Sequence, residues 1–206
     1  MGLRICFFAL WINQKNAFCA IIYLVGGNMA RMHNIYGGGS QTNVNGLQFE
    51  RDTSLDEALM EAGYVIKNDS VYDKDNNLIG LSIPKNSLYK NFLEKQKIDY
   101  KKYNSKKWLP DEAFLNFKTK TIYIIEKKYQ QTSGSVDEKL PNCDFKKKEY
   151  EKLFRPLGIK VHYIYVFNNW FKHDTYRDVL EYIKSVGCEY YYNEIPFQCL
   201  GLKKDN

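Results

Sequence analysis

The sequence predicts an α/β (α+β) chain built on a central mixed β-sheet flanked by helices. Three observations lead there. Residues 121–130 and 160–167 are apolar runs of strand length, rich in β-branched and aromatic side chains. The first is preceded by another strand candidate, residues 108–115, and the short Lys118-Thr119-Lys120 stretch between them suits a hairpin turn. Strand–helix–strand then follows, and a hairpin region continued in that way makes a mixed sheet with covering helices the natural architecture.

Taken in order, residues 1–31 hold no Asp or Glu and carry two apolar runs, 5–12 and 17–25, separated by Asn13-Gln-Lys-Asn16. Each run falls well short of the roughly 20 apolar residues that span a bilayer. The lysine and amides also break the apolar region that a signal peptide needs. Met29 and Met32 follow Gly26-Gly27-Asn28, and two glycine codons can spell a purine-rich ribosome-binding sequence just ahead of a start codon. The pattern points to an over-extended start, with residues 1–31 as a leader and 32–206 as a single domain. Initiation at Met32 removes Arg4, Lys15 and Arg31 and takes the net charge from +6 to +3.

Gly37-Gly38-Gly39-Ser40 is a flexible lead-in; no Gly-Lys-Ser/Thr follows it, so it is not a phosphate-binding loop. Residues 43–51 read as a short helix with Thr42 or Asn43 as its cap. Ser54-Leu-Asp-Glu57 is a capping-box pattern opening a second helix to about Ala62. Residues 64–66, 70–72 and 78–82 read as short strands, with turn residues at 73–77. Residues 86–97 read as a helix with Leu88, Phe92 and Leu93 on its apolar side. After the hairpin, Ser135-Val-Asp-Glu138 is another capping box, so a helix begins there and Pro141 interrupts it. Phe145, Leu153 and Phe154 are candidates for the core. Asp174 or Thr175 caps a helix to about Val186, with Val179, Ile183 and Val186 on one side and Gly187 closing it. Residues 189–192 and 195–200 are short strands or a covering tail.

At 206 residues the chain can bury a substantial core. A net charge of +6 suits a polyanionic partner without establishing one. The five cysteines, Cys6, Cys19, Cys143, Cys188 and Cys199, form no C-x-x-C pair, and their odd number argues against a disulfide framework. Free thiols in a reducing interior, hence a cytoplasmic location, fit best, with no stable membrane association. His33, His162 and His173 show no metal-ligand spacing, and His162, inside an apolar strand, is expected in the core.

The chemistry concentrates at the hairpin. In residues 121–130 the apolar run ends in Glu126, Lys128 and Gln130, which strand alternation places on one face together with Ile122 and Ile124. Pairing with the upstream strand brings Asp111 beside Glu126 and Lys128 beside both. Two carboxylates are hard oxygen ligands of the kind Mg²⁺ accepts. A metal held there can polarise a phosphoryl oxygen and acidify a water. A nearby ammonium can orient that water or stabilise developing charge. An acid-x-Lys tripeptide alone is more often a solvated strand end; the apolar strand before it and Pro110-Asp111 ahead raise its weight. The run from Lys95 to Lys107 carries Lys101, Lys102, Lys106 and Lys107 with Tyr100 and Tyr103 between them. Phosphate contact and a solvated loop are both open readings of it. Lys139 and Lys146-Lys147-Lys148 are open in the same way, between DNA contact and a solvent-facing helix side.

Pro110-Asp111 and Glu126-x-Lys128 resemble the signature of the PD-(D/E)XK nuclease superfamily, the restriction-endonuclease-like fold. Asn45-Gly-Leu-Gln-Phe-Glu50 resembles the N-terminal helix with an accessory glutamate. Gln130 and Gly134-Ser-Val-Asp-Glu-Lys-Leu140 resemble the segment after the catalytic strand in restriction-type members. The resemblance spans about residues 42–167. It implies that Asp111 and Glu126 hold Mg²⁺, with Mn²⁺ as a substitute, that Lys128 serves the water, and that Glu50 assists, itself at the metal. Gln130 is expected to line the same cleft as a substrate contact. The implied activity is hydrolysis of double-stranded DNA, foremost as a type II restriction endonuclease. Its implied partners are a second copy of the chain and a companion DNA methyltransferase encoded nearby. A recombination, repair or mobile-element nuclease of the same fold is the alternative. A non-catalytic nucleic-acid-binding protein fits less well, because Asp111, Glu126 and Lys128 are all present.

Overall fold

The computed structural model describes the backbone of residues 38–203 and the side chains of residues 44–203. The leader expected at 1–31 lies outside the described residues. Among those described, one sheet holds seven strands: β1 (Val65–Lys67), β2 (Ser70–Tyr72), β3 (Leu78–Pro84), β4 (Glu112–Asn116), β5 (Thr121–Lys128), β6 (Lys160–Phe167) and β7 (Glu189–Tyr192). They lie side by side in chain order. The pairings from β1 to β5 are antiparallel; β5 with β6 and β6 with β7 are parallel. The α/β class and the mixed sheet are therefore as the sequence predicts.

Each connection has a local cause. Asn68 and Asp69 adopt positive φ, 47° and 67°, the geometry of a tight hairpin turn that these residue types tolerate. β3 and β4 approach so closely at Gly80 that a Cβ there would collide with the Leu115 carbonyl. The parallel pairs need long crossovers. These carry helix α3 (Cys143–Phe154) between β5 and β6 and helix α4 (Arg177–Ser185) between β6 and β7.

Both faces of the sheet are covered. Ile122 and Ile124 of β5 pack with Tyr150, Leu153 and Phe154 of α3 and with Leu88, Tyr89, Phe92 and Leu93. Tyr123 and Ile125, pointing the other way, pack with Phe49 of helix α1 (Gly38–Asp52) and with Leu55 and Leu59 of helix α2 (Leu55–Glu61). Ser54 caps α2, its side chain accepting the Glu57 N–H, as the capping box predicts.

Several elements differ from expectation. α1 starts at Gly38 rather than near Asn43, so part of the glycine lead-in is helical. The helix expected at 86–97 is a single π-helical turn, Leu88–Leu93. The second capping box does not close: a 3₁₀ segment, Asp137–Asn142, runs through Pro141, and Ser135 instead accepts from Lys139 at 3.5 Å. The strand expected at 108–115 begins only at Glu112, because Pro110 has no N–H for the ladder. Phe145 is exposed, edge-on to the Trp108 ring at 5.5 Å. His162 is also exposed, bonded to Glu189 at 2.8 Å near the start of β6, and not a core residue.

Candidate active site

β5 stays buried along its length and turns polar only at its end, where Glu126 is 4% exposed. Asp111 lies just before β4, and its Oδ2 accepts the Lys127 N–H at 2.8 Å. The side chain thus satisfies a backbone donor beyond the last β4–β5 ladder pair, Glu112 with Ile125. That bond fixes Asp111 against the end of β5. Lys128 Nζ stands 3.0 Å from Glu126 Oε2, 3.0 Å from the Lys127 carbonyl and 3.8 Å from Asp111 Oδ2. The three residues singled out in the sequence are brought together.

Two further lysines complete the cluster; the sequence gives no sign of Lys85, and offers Lys146 only within the Lys146-Lys147-Lys148 run, without its place at Glu126. Lys85, just after β3, reaches Asp111 Oδ1 at 3.3 Å. Lys146, near the start of α3, reaches Glu126 Oε1 at 3.1 Å. Behind the site, the hydroxyls of Tyr150 and Tyr163 are buried without a hydrogen-bond partner. Burial, and after it the charge of Glu126, pushes both phenols far above their ordinary range, so they stay neutral.

Lys127 points to the opposite face. Its ammonium, almost fully buried, pairs with Glu112 Oε1 at 2.8 Å and donates to the Glu50 carbonyl at 3.0 Å, in the last turn of α1. Glu112 in turn accepts the Leu55 N–H, at 3.2 and 3.3 Å to its two oxygens, at the start of α2. Cation at a helix C-terminus and anion at a helix N-terminus both suit the helix dipoles. Burial raises the Glu112 carboxyl above its ordinary value, and the charge of Lys127 opposes the rise.

A family model described as a PD-(D/E)XK nuclease superfamily domain matches residues 52–154, half of the chain, with Asp111, Glu126 and Lys128 inside the match. The chain belongs to the PD-(D/E)XK nuclease superfamily. No curated protein and no solved structure matches it. Membership makes it a nuclease domain, and the central mixed sheet with flanking helices is the superfamily's restriction-endonuclease-like fold.

In this PD-(D/E)XK domain the donor set suits a divalent metal. Asp111 Oδ2, Glu126 Oε2 and the Lys127 carbonyl are hard oxygens gathered around one cation, the Lys128 ammonium. Among the described residues no third His, Cys, Asp or Glu joins them in a metal-holding group. Glu50 is exposed on α1; with Lys127 and Lys128 it lines a cavity of about 510 Å³. Gln130 is placed differently from expectation. β5 ends at Lys128, so strand alternation no longer governs it. Gln130 is 3% exposed; its N–H donates to Asn168 and its side-chain amide to Asp137, at 3.2 and 3.1 Å. As it stands, it braces the chain beyond β5 and is not hydrogen-bonded to Glu126 or Lys128.

The expected phosphate-contact lysines are exposed. Lys101 and Lys102 sit on a 3₁₀ turn, Tyr100–Lys102. Lys106 lies 3.9 Å over the Trp108 ring, and Lys107 lies 5.2 and 5.1 Å over Tyr89 and Tyr100. The segment is thus anchored by aromatic contacts just ahead of Pro110-Asp111. Lys139 is exposed beyond β5.

Proposed function

We propose that the chain is a metal-dependent endodeoxyribonuclease that hydrolyses phosphodiester bonds in double-stranded DNA, acting as a type II restriction enzyme. The observation that supports this best is the gathering of two carboxylates and one carbonyl around the Lys128 ammonium at the end of β5. Asp111 and Glu126 would hold Mg²⁺, or Mn²⁺ in its place, and the bound metal supplies Lewis-acid polarisation of the phosphoryl oxygen and a water of lowered pKa. The chain's own residues set the geometry. The Lys127 N–H orients Asp111, and near-complete burial of Glu126 holds its carboxylate in a fixed position. Lys128 orients the attacking water or stabilises charge developing on the phosphate. Glu50 assists from across the shared cavity. Lys101, Lys102, Lys106, Lys107 and Lys139 are the proposed contacts to backbone phosphates.

The restriction assignment is supported by the ordered run from Asn45-Gly-Leu-Gln-Phe-Glu50 to Gly134-Ser-Val-Asp-Glu-Lys-Leu140. A second copy of the chain and a companion methyltransferase are the partners that this role entails, in the cytoplasm. Among the described residues no helix is long and apolar enough to cross a membrane.

Incubation of the purified protein with plasmid and genomic DNA tests the proposal. Discrete fragments are expected with Mg²⁺ or Mn²⁺ and none in EDTA. They should vanish when the DNA is first modified by a methyltransferase encoded next to this gene. Full activity in EDTA would exclude the metal mechanism, and a featureless smear would exclude the restriction role.

A further inference from the structure

Each carboxylate of the site holds two ammonium groups. The inner oxygens, Asp111 Oδ2 and Glu126 Oε2, face Lys128. The outer oxygens take separate lysines from distant parts of the chain: Lys85 at 3.3 Å on Asp111 Oδ1, and Lys146 at 3.1 Å on Glu126 Oε1. Two negative charges are therefore matched by three positive ones. A divalent cation on the same carboxylates adds two more, beside ammonium groups that each lie within 3.8 Å of a carboxylate oxygen. Such an excess repels the incoming metal unless anions arrive with it. A nucleic-acid backbone supplies them in the right form, one negative charge per nucleotide.

The outer lysines keep contact with solvent. The side chains of Lys85 and Lys146 are 52% and 24% exposed, whereas that of Lys127, locked to Glu112, is 2% exposed. Lys85 and Lys146 approach the pair of carboxylates separately, one on each acid, with Lys128 between. We propose that Lys85 and Lys146 are two further substrate-binding residues. Under the added charge of a metal on the inner oxygens they leave the outer oxygens of Asp111 and Glu126 and take the phosphates on either side of the scissile one, so metal and nucleic acid load together. By linkage, each ligand then raises affinity for the other by the same factor. The inference rests on the metal-dependent nuclease reading above.

Lys85→Gln, Lys146→Gln and Lys146→Arg test it. In both glutamine variants Lys128 still faces the two carboxylates, so no buried charge is stranded, and thermal melting confirms folding. Mn²⁺ binding to the free protein is followed by electron paramagnetic resonance. It should tighten about tenfold in each glutamine variant, the size expected on losing one like charge beside the ligands. Binding of a phosphorothioate duplex in Mn²⁺ is then measured against salt. Each glutamine variant should reduce the log–log slope by about 0.9, and Lys146→Arg should keep the wild-type slope. A folded glutamine variant with either the Mn²⁺ affinity or the salt slope unchanged overturns the proposal. Wild-type protein that neither binds Mn²⁺ nor cleaves removes the nuclease reading itself. That result differs from a wild type that does both while the variants match it.

Discussion

The Lys128 ammonium lies among Asp111 Oδ2, Glu126 Oε2 and the Lys127 carbonyl, so removing any one of these side chains changes the field felt by the other two. Asp111→Ala, Glu126→Ala and Lys128→Ala are each expected to lower single-turnover cleavage on the order of a thousandfold, because contacts acting as a unit are lost together. Circular dichroism of each variant should remain native. Normal cleavage by a well-folded Glu126→Ala protein would refute the site. Glu50 calls for a finer measurement. It is exposed and shares a cavity with Lys128, with Phe49 beside it anchored in the core. Glu50→Gln should lower kcat at saturating metal more than it weakens DNA binding; an unchanged kcat returns Glu50 to the ordinary surface. The Asp111, Glu126 and Lys128 trio was legible because strand alternation and one hairpin suffice to gather it. Lys146 was not: nothing local separates it from Lys147 and Lys148, and only the seating of α3 against β5 aims it at Glu126. Lys85 had no signal, since its partner lies 26 residues further on.

At the scale of elements, the Lys127–Glu112 pair joins β5 to β4 and touches the end of α1 and the start of α2. Lys127→Met leaves a mostly buried carboxylate without its cation and should destabilise the fold by about 3 kcal/mol at pH 7. The pH dependence has a definite sign. The folded Glu112 carboxyl already titrates above its ordinary value of 4.5, so its favourable contribution is complete below that value and declines as pH rises through the folded value. Without Lys127 the folded value climbs further. The deficit of the variant against wild type should therefore be smaller at pH 5 than at pH 7, as read by urea denaturation at each pH. Equal deficits would mean that Lys127 acts through packing alone. The same scale separates two identical-looking signals. Ser54 and Ser135 both open a capping-box pattern, and only Ser54 caps. Pro141 falls inside the turn that follows Ser135, and the chain takes a 3₁₀ path up to α3. The long strands β5 and β6 were legible because their apolar residues fill both faces of a doubly covered sheet. The start of α1 was not, since a glycine run carries little helical propensity.

For the whole molecule, the sheet brings together what the sequence keeps apart. Its antiparallel half delivers Asp111 to the end of β5, and the first parallel crossover delivers Lys146 to the same place. Among the described residues, the buried members of the two core clusters lie between Phe49 and Leu202, and the proposed site residues lie between Glu50 and Lys146. A chain starting at Met29 keeps all of them. It loses Arg4 and Lys15, so the net charge falls from +6 to +4, a small change beside the local cluster of lysines at the site. Such a protein is expected to melt within a few degrees of the full chain, on the order of the shift that 1 kcal/mol produces, and to cleave at the same rate. The apolar runs at 5–12 and 17–25 set the contrary outcome. Were they packed onto the domain, their removal would expose core surface worth several kcal/mol, at about 25 cal/mol per Å², and the melting temperature would drop steeply. Calorimetry of the two proteins in the same buffer separates these outcomes, and a large drop would make the first 28 residues part of the nuclease domain.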